Sequence, residues 1–204
     1  RALIASSTPL VLDADALNVA ASICLGNADV HPNALRREAP LVLTPHAREL
    51  ARLLGKETGS ICCLTDLMDA AQSLAWAVGS SNFAVVAKAA TSCVSCIETT
   101  LVPKAGPSAL GTAGTGDVLA GIVAGLLSQQ VSDLGADEVG SADLALMLAA
   151  ALRIQARAAD AAVKRVGTRG VIATDLIDLV GVAFDDVYAH AALAANADPA
   201  AGDD

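Results

Sequence analysis

The turn Gly111-Thr112-Ala113-Gly114-Thr115-Gly116-Asp117 runs straight into the apolar stretch 118–127, and it constrains this chain most. Three glycines admit positive φ without a Cβ penalty and let the backbone approach a ligand closely. The apolar stretch has the length of a helix, so its first turn inherits unsatisfied N–H groups and the positive end of the helix dipole. Such a turn seats phosphate or another anion. Gly111 and Gly116 even have Walker A spacing, but the Lys-Ser/Thr that should follow is replaced by Asp117-Val118. Lysine would hold a phosphate, whereas a carboxylate repels one. Asp117 is therefore a candidate base for a hydroxyl that attacks a phosphoryl group. A second reading stays open at equal weight, because aspartate is also a favoured helix cap.

Around that turn, short apolar runs alternate with helical patterns, which predicts βα units and a mostly parallel sheet. Pro9-Leu10-Val11-Leu12 and Pro40-Leu41-Val42-Leu43 read as strands, followed by Asp13 and by Thr44-Pro45. Thr44 and Pro45 read as the cap and first residue of a helix that carries Ala47, Leu50, Leu53 and Leu54 on one face and stops at Gly55. Further helices are expected over 65–78 and 141–166, and a last one from a Thr174 cap to about residue 190. Residues 83–87 read as a strand and 93–102 as a hairpin or two short strands. Gly121 and Gly125 suit close packing of the helix after the turn. One domain over 1–193 is expected, with a disordered acidic tail over 194–204.

Ligands of parallel α/β sheets sit beyond the carboxyl ends of the strands. Asp13, Asp15 and Asn18 follow the first strand, His46 the second, and Lys88 ends the third, so one crevice is expected to gather them with the glycine-rich turn. Each has a plain structural reading as well, as a cap, a strand end or a solvated side chain.

Composition excludes several classes. A formal charge of −9 argues against a nucleic-acid partner, although backbone amides can still hold a nucleotide's phosphates. The run 118–127 is too short to span a bilayer, and no secretory signal opens the chain. Five cysteines are an odd number. Cys93 and Cys96 lie three apart in an apparent strand and so point to opposite faces, which suits neither a redox pair nor a shared metal. Cys62-Cys63 has no histidine pair at zinc spacing. Buried reduced thiols and a cytoplasmic setting are the expectation.

Five segments then carry a resemblance in order: Pro9-Leu-Val-Leu-Asp-Ala-Asp-Ala-Leu-Asn18, Leu43-Thr-Pro-His-Ala-Arg-Glu49, Val86-Ala-Lys-Ala-Ala-Thr-Ser92, Gly111-Thr-Ala-Gly-Thr-Gly-Asp-Val-Leu-Ala-Gly121 and Gly170-Val-Ile-Ala-Thr-Asp-Leu176. Over nearly its whole length the chain resembles the ADP/ATP-dependent NAD(P)H-hydrate dehydratases of the ribokinase-like superfamily. The resemblance implies a three-layer αβα sandwich. It also implies phosphoryl transfer from ADP or ATP, with Mg²⁺, to the 6-hydroxyl of hydrated NADH or NADPH, followed by loss of phosphate. Asp117 would be the base. Asn18, His46 and Asp117 would meet the substrate, while Lys88, Ala89, Ala90, Thr91, Ser92, Gly114, Thr115 and Gly116 would meet the nucleotide. No metal ligand is assigned by it.

The chain departs from the family in three places. Arg48 replaces the glycine of the usual His-x-Gly-Glu motif, and Ala89 and Ser92 replace the glycine and threonine of Lys-Gly-x-x-Thr. The family's N-terminal portion, with a Gly-Pro-Gly segment, is missing. The chain begins at Arg1, so it is expected to be an N-terminally truncated piece of a longer protein, one that admits a fused or partner epimerase domain and a homo-oligomer. Two rival functions share the same residues: a ribokinase-like kinase for a small alcohol such as a thiazole or pyrimidine, and an inactive nucleotide-binding remnant.

Overall fold

A computed structural model of the chain describes residues 6–25 and 31–196, with side chains to residue 190. Five strands, β1 (Leu10–Leu12), β2 (Leu41–Leu43), β3 (Phe83–Ala87), β4 (Cys93–Cys96) and β5 (Thr100–Leu101), form one sheet in sequence order. Pairing is parallel from β1 through β3 and antiparallel from β3 through β5, so the sheet is mixed. The antiparallel half is the hairpin expected over 93–102, joined by too few residues for a crossover helix.

Strand residues alternate between two cores, as the period of two demands. Val42, Ala84, Val86, Val94 and Cys96 face one cluster, filled by α4 (Thr115–Leu134), α5 (Ser141–Val166), α6 (Ala173–Ile177) and α7 (Val180–Asn196). Leu41, Leu43, Phe83, Val85, Ala87 and Cys93 face the other, filled by α1 (Asp15–Cys24), α2 (Ala47–Leu53) and α3 (Leu64–Val78). Helices thus cover both faces of the sheet, which is the three-layer αβα sandwich. Continuous burial of β2 and β3 matches their unbroken apolar sequence.

Helix ends differ from the sequence expectation in two places. Thr44 and Pro45 do not start α2. Thr44 lies just past β2, where its N–H and hydroxyl both reach the Leu12 carbonyl. His46 is the cap instead: its Nδ1 accepts from the N–H groups of Arg48 and Glu49, and the Glu49 carboxylate accepts from the His46 N–H. The last helical region is also split, with Ile172 rather than Thr174 at its start. The Asp175 carboxylate accepts from the Ile172 N–H at 2.9 Å, and α7 begins anew at Val180. Helix α7 runs through 194–196, the start of the expected tail; the remainder, 197–204, lies outside the described residues.

All five cysteines are free. Cys93 and Cys96 do face opposite cores, as their spacing predicts, and with Cys24 they are buried. Cys62 and Cys63 are exposed, contrary to the default of buried thiols, because they precede α3 and Cys63 caps it. Burial pushes the thiols of Cys24 and Cys93 up to about 11, and burial with the nearby Glu98 charge pushes Cys96 up to about 12. An aromatic disulfide reagent in mildly alkaline buffer is therefore expected to titrate Cys62 and Cys63 in the native protein and the other three only after denaturation. The sign for stability follows. Unfolded thiols ionise near pH ~8.5 while the folded ones stay neutral, so the unfolding midpoint is expected to fall as pH rises from there toward 11–12. A pH series of thermal melts checks it.

Candidate active site

The register pairs Leu12 with Leu43 and Leu43 with Val85, which brings the carboxyl ends of β1, β2 and β3 to one edge. Asp13, His46 and Lys88 follow there. The backbone of Lys88 lies alongside that of His46, and the Lys88 N–H donates to the Pro45 carbonyl at 2.7 Å. The Lys88 ammonium reaches back across β2 to the Asp13 carboxylate, 2.5 Å away.

The glycine-rich turn meets the same edge. Gly114 caps α4 with a left-handed φ of 87°, which a side chain would resist. A Cβ at Gly116 would stand 3.4 Å from Lys88 Nζ and 3.9 Å from Asp13 Oδ2, so glycine lets the ammonium lie against the helix backbone. Thr115 is buried, and its hydroxyl donates to the carbonyls of Leu110 and Thr112 at 2.6 and 2.9 Å. That hydroxyl is committed to holding the turn. The Thr115 N–H is committed as well, to the Thr112 carbonyl, whereas those of Gly116 and Asp117 have no acceptor among the described residues.

Asp117 is the third residue of α4 and caps nothing. The capping reading is thus excluded: Gly114 is the cap, and the Asp117 side chain is exposed with no hydrogen bond or ion pair among the described residues. It stands free to meet a ligand.

His46 is half exposed, with Nε2 3.5 Å from Glu49 Oε1. Because Nδ1 accepts two backbone N–H groups, the neutral ring carries its proton on Nε2 and presents a donor. Asn18 is placed differently. Its side chain accepts from Arg52 of α2 and donates to Asp15 at 3.2 Å, tying α1 to α2, and it makes no hydrogen bond to the Asp13–Lys88 pair.

Residues 88–92 form a turn in which the Ala89 N–H donates to Ser92 Oγ, and that hydroxyl donates to the Ala89 carbonyl. Lys88, Ala89, Ala90 and Ser92 line a cavity of about 560 Å³, whose far wall is the loop 103–111 with Leu152 and Gln155. Thr91 belongs to the turn and is half-buried but is not on that wall. Neither are Gly114, Thr115 and Gly116, and Gly114 lines a different hollow. Gln155 escaped the reading of the sequence. It is buried in α5, donates to the Thr115 carbonyl at 2.7 Å, and so ties the cavity wall to the start of α4. The only signal was a lone amide among alanines and leucines on a buried helix face.

A second hollow, about 700 Å³, runs along α4 from Gly114 and Asp117 past Val118, Ile122 and Leu126 to Phe184 of α7. Gly121 and Gly125 open onto it with nothing within 4 Å of an added Cβ, so they do not serve close packing among the described residues. Its walls are mostly apolar beyond Gly114 and Asp117. Among the described residues no three histidine, cysteine, aspartate or glutamate side chains gather to hold a metal, and no helix is long and apolar enough to cross a membrane.

The sandwich, with its glycine turn at the carboxyl edge of the sheet, defines the ribokinase-like α/β class. A ribokinase-like superfamily protein from Enterococcus faecalis superposes on 88% of the chain with a TM-score of 0.61 at 20% identity. The ADP/ATP-dependent NAD(P)H-hydrate dehydratase of Bacillus subtilis, co-crystallised with ATP/Mg²⁺, superposes on 91% at 0.67 and 20% identity. The family model for NAD(P)H-hydrate dehydratase matches residues 1–181, and the chain belongs to that family. It is 39% identical over 176 residues to the bifunctional NAD(P)H-hydrate repair enzyme of Salinibacter ruber, across 85% of this chain. It is 38% identical over 124 residues to the ADP-dependent (S)-NAD(P)H-hydrate dehydratase of Neisseria meningitidis, across 60% of this chain. The chain spans 28% and 38% of those two relatives, and 58% of the Bacillus subtilis structure.

Proposed function

We propose that the protein dehydrates hydrated NADH and NADPH at the expense of ADP or ATP. One observation carries this reading beyond family membership. Two features meet at one edge, the Lys88 ammonium and the open N–H groups of Gly116 and Asp117, and the free carboxylate of Asp117 stands on the same first turn of α4. Cation and amides suit a phosphate, and the carboxylate suits the hydroxyl that attacks it.

Hydroxide leaves carbon poorly and phosphate leaves well. Asp117 takes the proton of the substrate's 6-hydroxyl as that oxygen attacks the terminal phosphorus of the nucleotide. The P–O bond to the leaving AMP or ADP breaks. The phosphate ester then departs as inorganic phosphate, and loss of a proton from C5 restores the C5–C6 double bond. The amides of Gly116 and Asp117, with Lys88, hold the charge on the transferring group. The Nε2–H of His46 orients the substrate, and the turn 88–92 with the 560 Å³ cavity seats the nucleotide. Asn18, tied to Arg52, reaches substrate only if that contact opens. Thr115 acts through its backbone and the fold of the turn.

Mg²⁺ fits this site as a companion of the nucleotide, since it needs few protein ligands beside phosphate oxygens and water. When bound it would neutralise phosphate charge. We further place the catalytic unit in one domain over 1–193.

The test is to supply the protein with hydrated NADH and ADP and follow recovery of NADH absorbance, with AMP and phosphate released in equal amounts. No recovery by folded protein rejects the reading. Accumulation of a stable phosphorylated substrate assigns the small-alcohol kinase chemistry instead.

A further inference from the structure

We propose that Asp13 is a positioning residue, which aims the Lys88 ammonium at the first turn of α4. The inference rests on the nucleotide reading given above. A lysine is a compact charge on a flexible four-carbon stem, so its direction must be set by what it touches. Lys88 points toward a helix N-terminus, where the dipole opposes a cation. Among the described residues its one ion-pair partner is the Asp13 carboxylate at 2.5 Å. Both side chains are largely withdrawn from solvent, at 21% and 13% exposure, so water screens the pair poorly.

Both ends of the arrangement are anchored. Lys88 is fixed at its backbone by the Pro45 carbonyl, and the Asp13 carbonyl accepts from the Ala16 N–H at 3.1 Å in the turn into α1. The pair spans the carboxyl ends of β1 and β3 with the β2 end between them. Gly116 completes the geometry, because a Cβ there would already be in van der Waals contact with the ammonium, 3.4 Å away. Asp13 thus holds the cation in place before a phosphate arrives, and keeps it in register as charge develops on the transferring group. The same carboxylate repels a bound phosphate. Removing its charge therefore costs turnover without costing nucleotide affinity.

The experiment is a double-mutant cycle of Asp13→Asn and Lys88→Met, with ADP affinity by calorimetry and kcat and KM from NADH recovery. Asp13→Asn is expected to lower kcat about 10²-fold, the scale of a misplaced catalytic group, with ADP affinity unchanged or tighter. Lys88→Met is expected to weaken ADP binding. In the Lys88→Met background Asp13→Asn is expected to add nothing further to the loss of kcat. Unchanged kcat in Asp13→Asn overturns the inference, and so do effects of the two changes that multiply. Asp13→Ser stands in if melting shows the asparagine variant unfolded. Failure of the unaltered protein to bind ADP rejects the nucleotide reading and this role together; ADP binding with unchanged kcat in Asp13→Asn rejects the role alone.

Discussion

Asp117→Asn is expected to lower turnover of hydrated NADH by about 10²–10⁴-fold, the range that a positioned general base supplies. ADP affinity and the unfolding midpoint are expected to stay where they are. Both halves follow from the geometry. The side chain is exposed, caps nothing and pairs with nothing among the described residues, so asparagine removes no hydrogen bond or ion pair. Asparagine keeps the size and loses the basicity. Steady-state kinetics with calorimetry check it: wild-type turnover in the variant removes Asp117 as base, and a large fall in melting temperature assigns it a structural role.

The largest effect on stability is expected at the opposite end of β3. Phe83 is 1% exposed and lies in the core between the sheet and α3. Phe83→Ala is expected to cost about 3–5 kcal/mol, because the cavity adds to the lost transfer free energy. A thermal melt should show the midpoint about 10 °C lower or more. A loss under about 1 kcal/mol would mean that the surrounding leucines collapse into the space. Since β3 carries Lys88 at its other end, ADP affinity in this variant reports how stiffly the strand conveys the disturbance.

Much of the fold was legible because its signals are local. The apolar runs at 10–12, 41–43 and 83–87 are strands, and Gly114 takes the positive φ that the glycine-rich turn admits. The helix over 141–166 also has the expected ends. Cys93 and Cys96 showed that a period of two survives even in a short buried strand. What was misread depended on partners far away in sequence. Thr44 looks like a cap by composition, but its hydroxyl and N–H go to Leu12, so the cap passes to His46, a residue type rarely given that task. The capping reading of Asp117 falls because the cap of α4 is Gly114, three residues before it.

The site was legible in the same uneven way. Lys88, His46 and the glycine turn meet at one edge because each follows a strand or opens a helix there, a rule of the fold class. Asp13 carried the weakest signal, and its partner lies 75 residues away. Asn18 seemed equally placed, yet Arg52 engages it. Gln155 was invisible, since nothing local marks an amide as the brace of a distant turn. Such pairings are made by the sheet rather than by neighbours in sequence.

The cleft also sits on a seam. One wall, the start of α4, belongs to the layer on one side of the sheet, while α1 and α2, which frame the Asp13 and His46 wall, belong to the layer on the other. Their hydrophobic interiors are divided by the strands, so the two walls are set by separate cores. The gap between ammonium and glycine backbone thus works as a feeler gauge for the alignment of the two layers. A small slip of either is expected to register as altered catalysis well before the molecule melts.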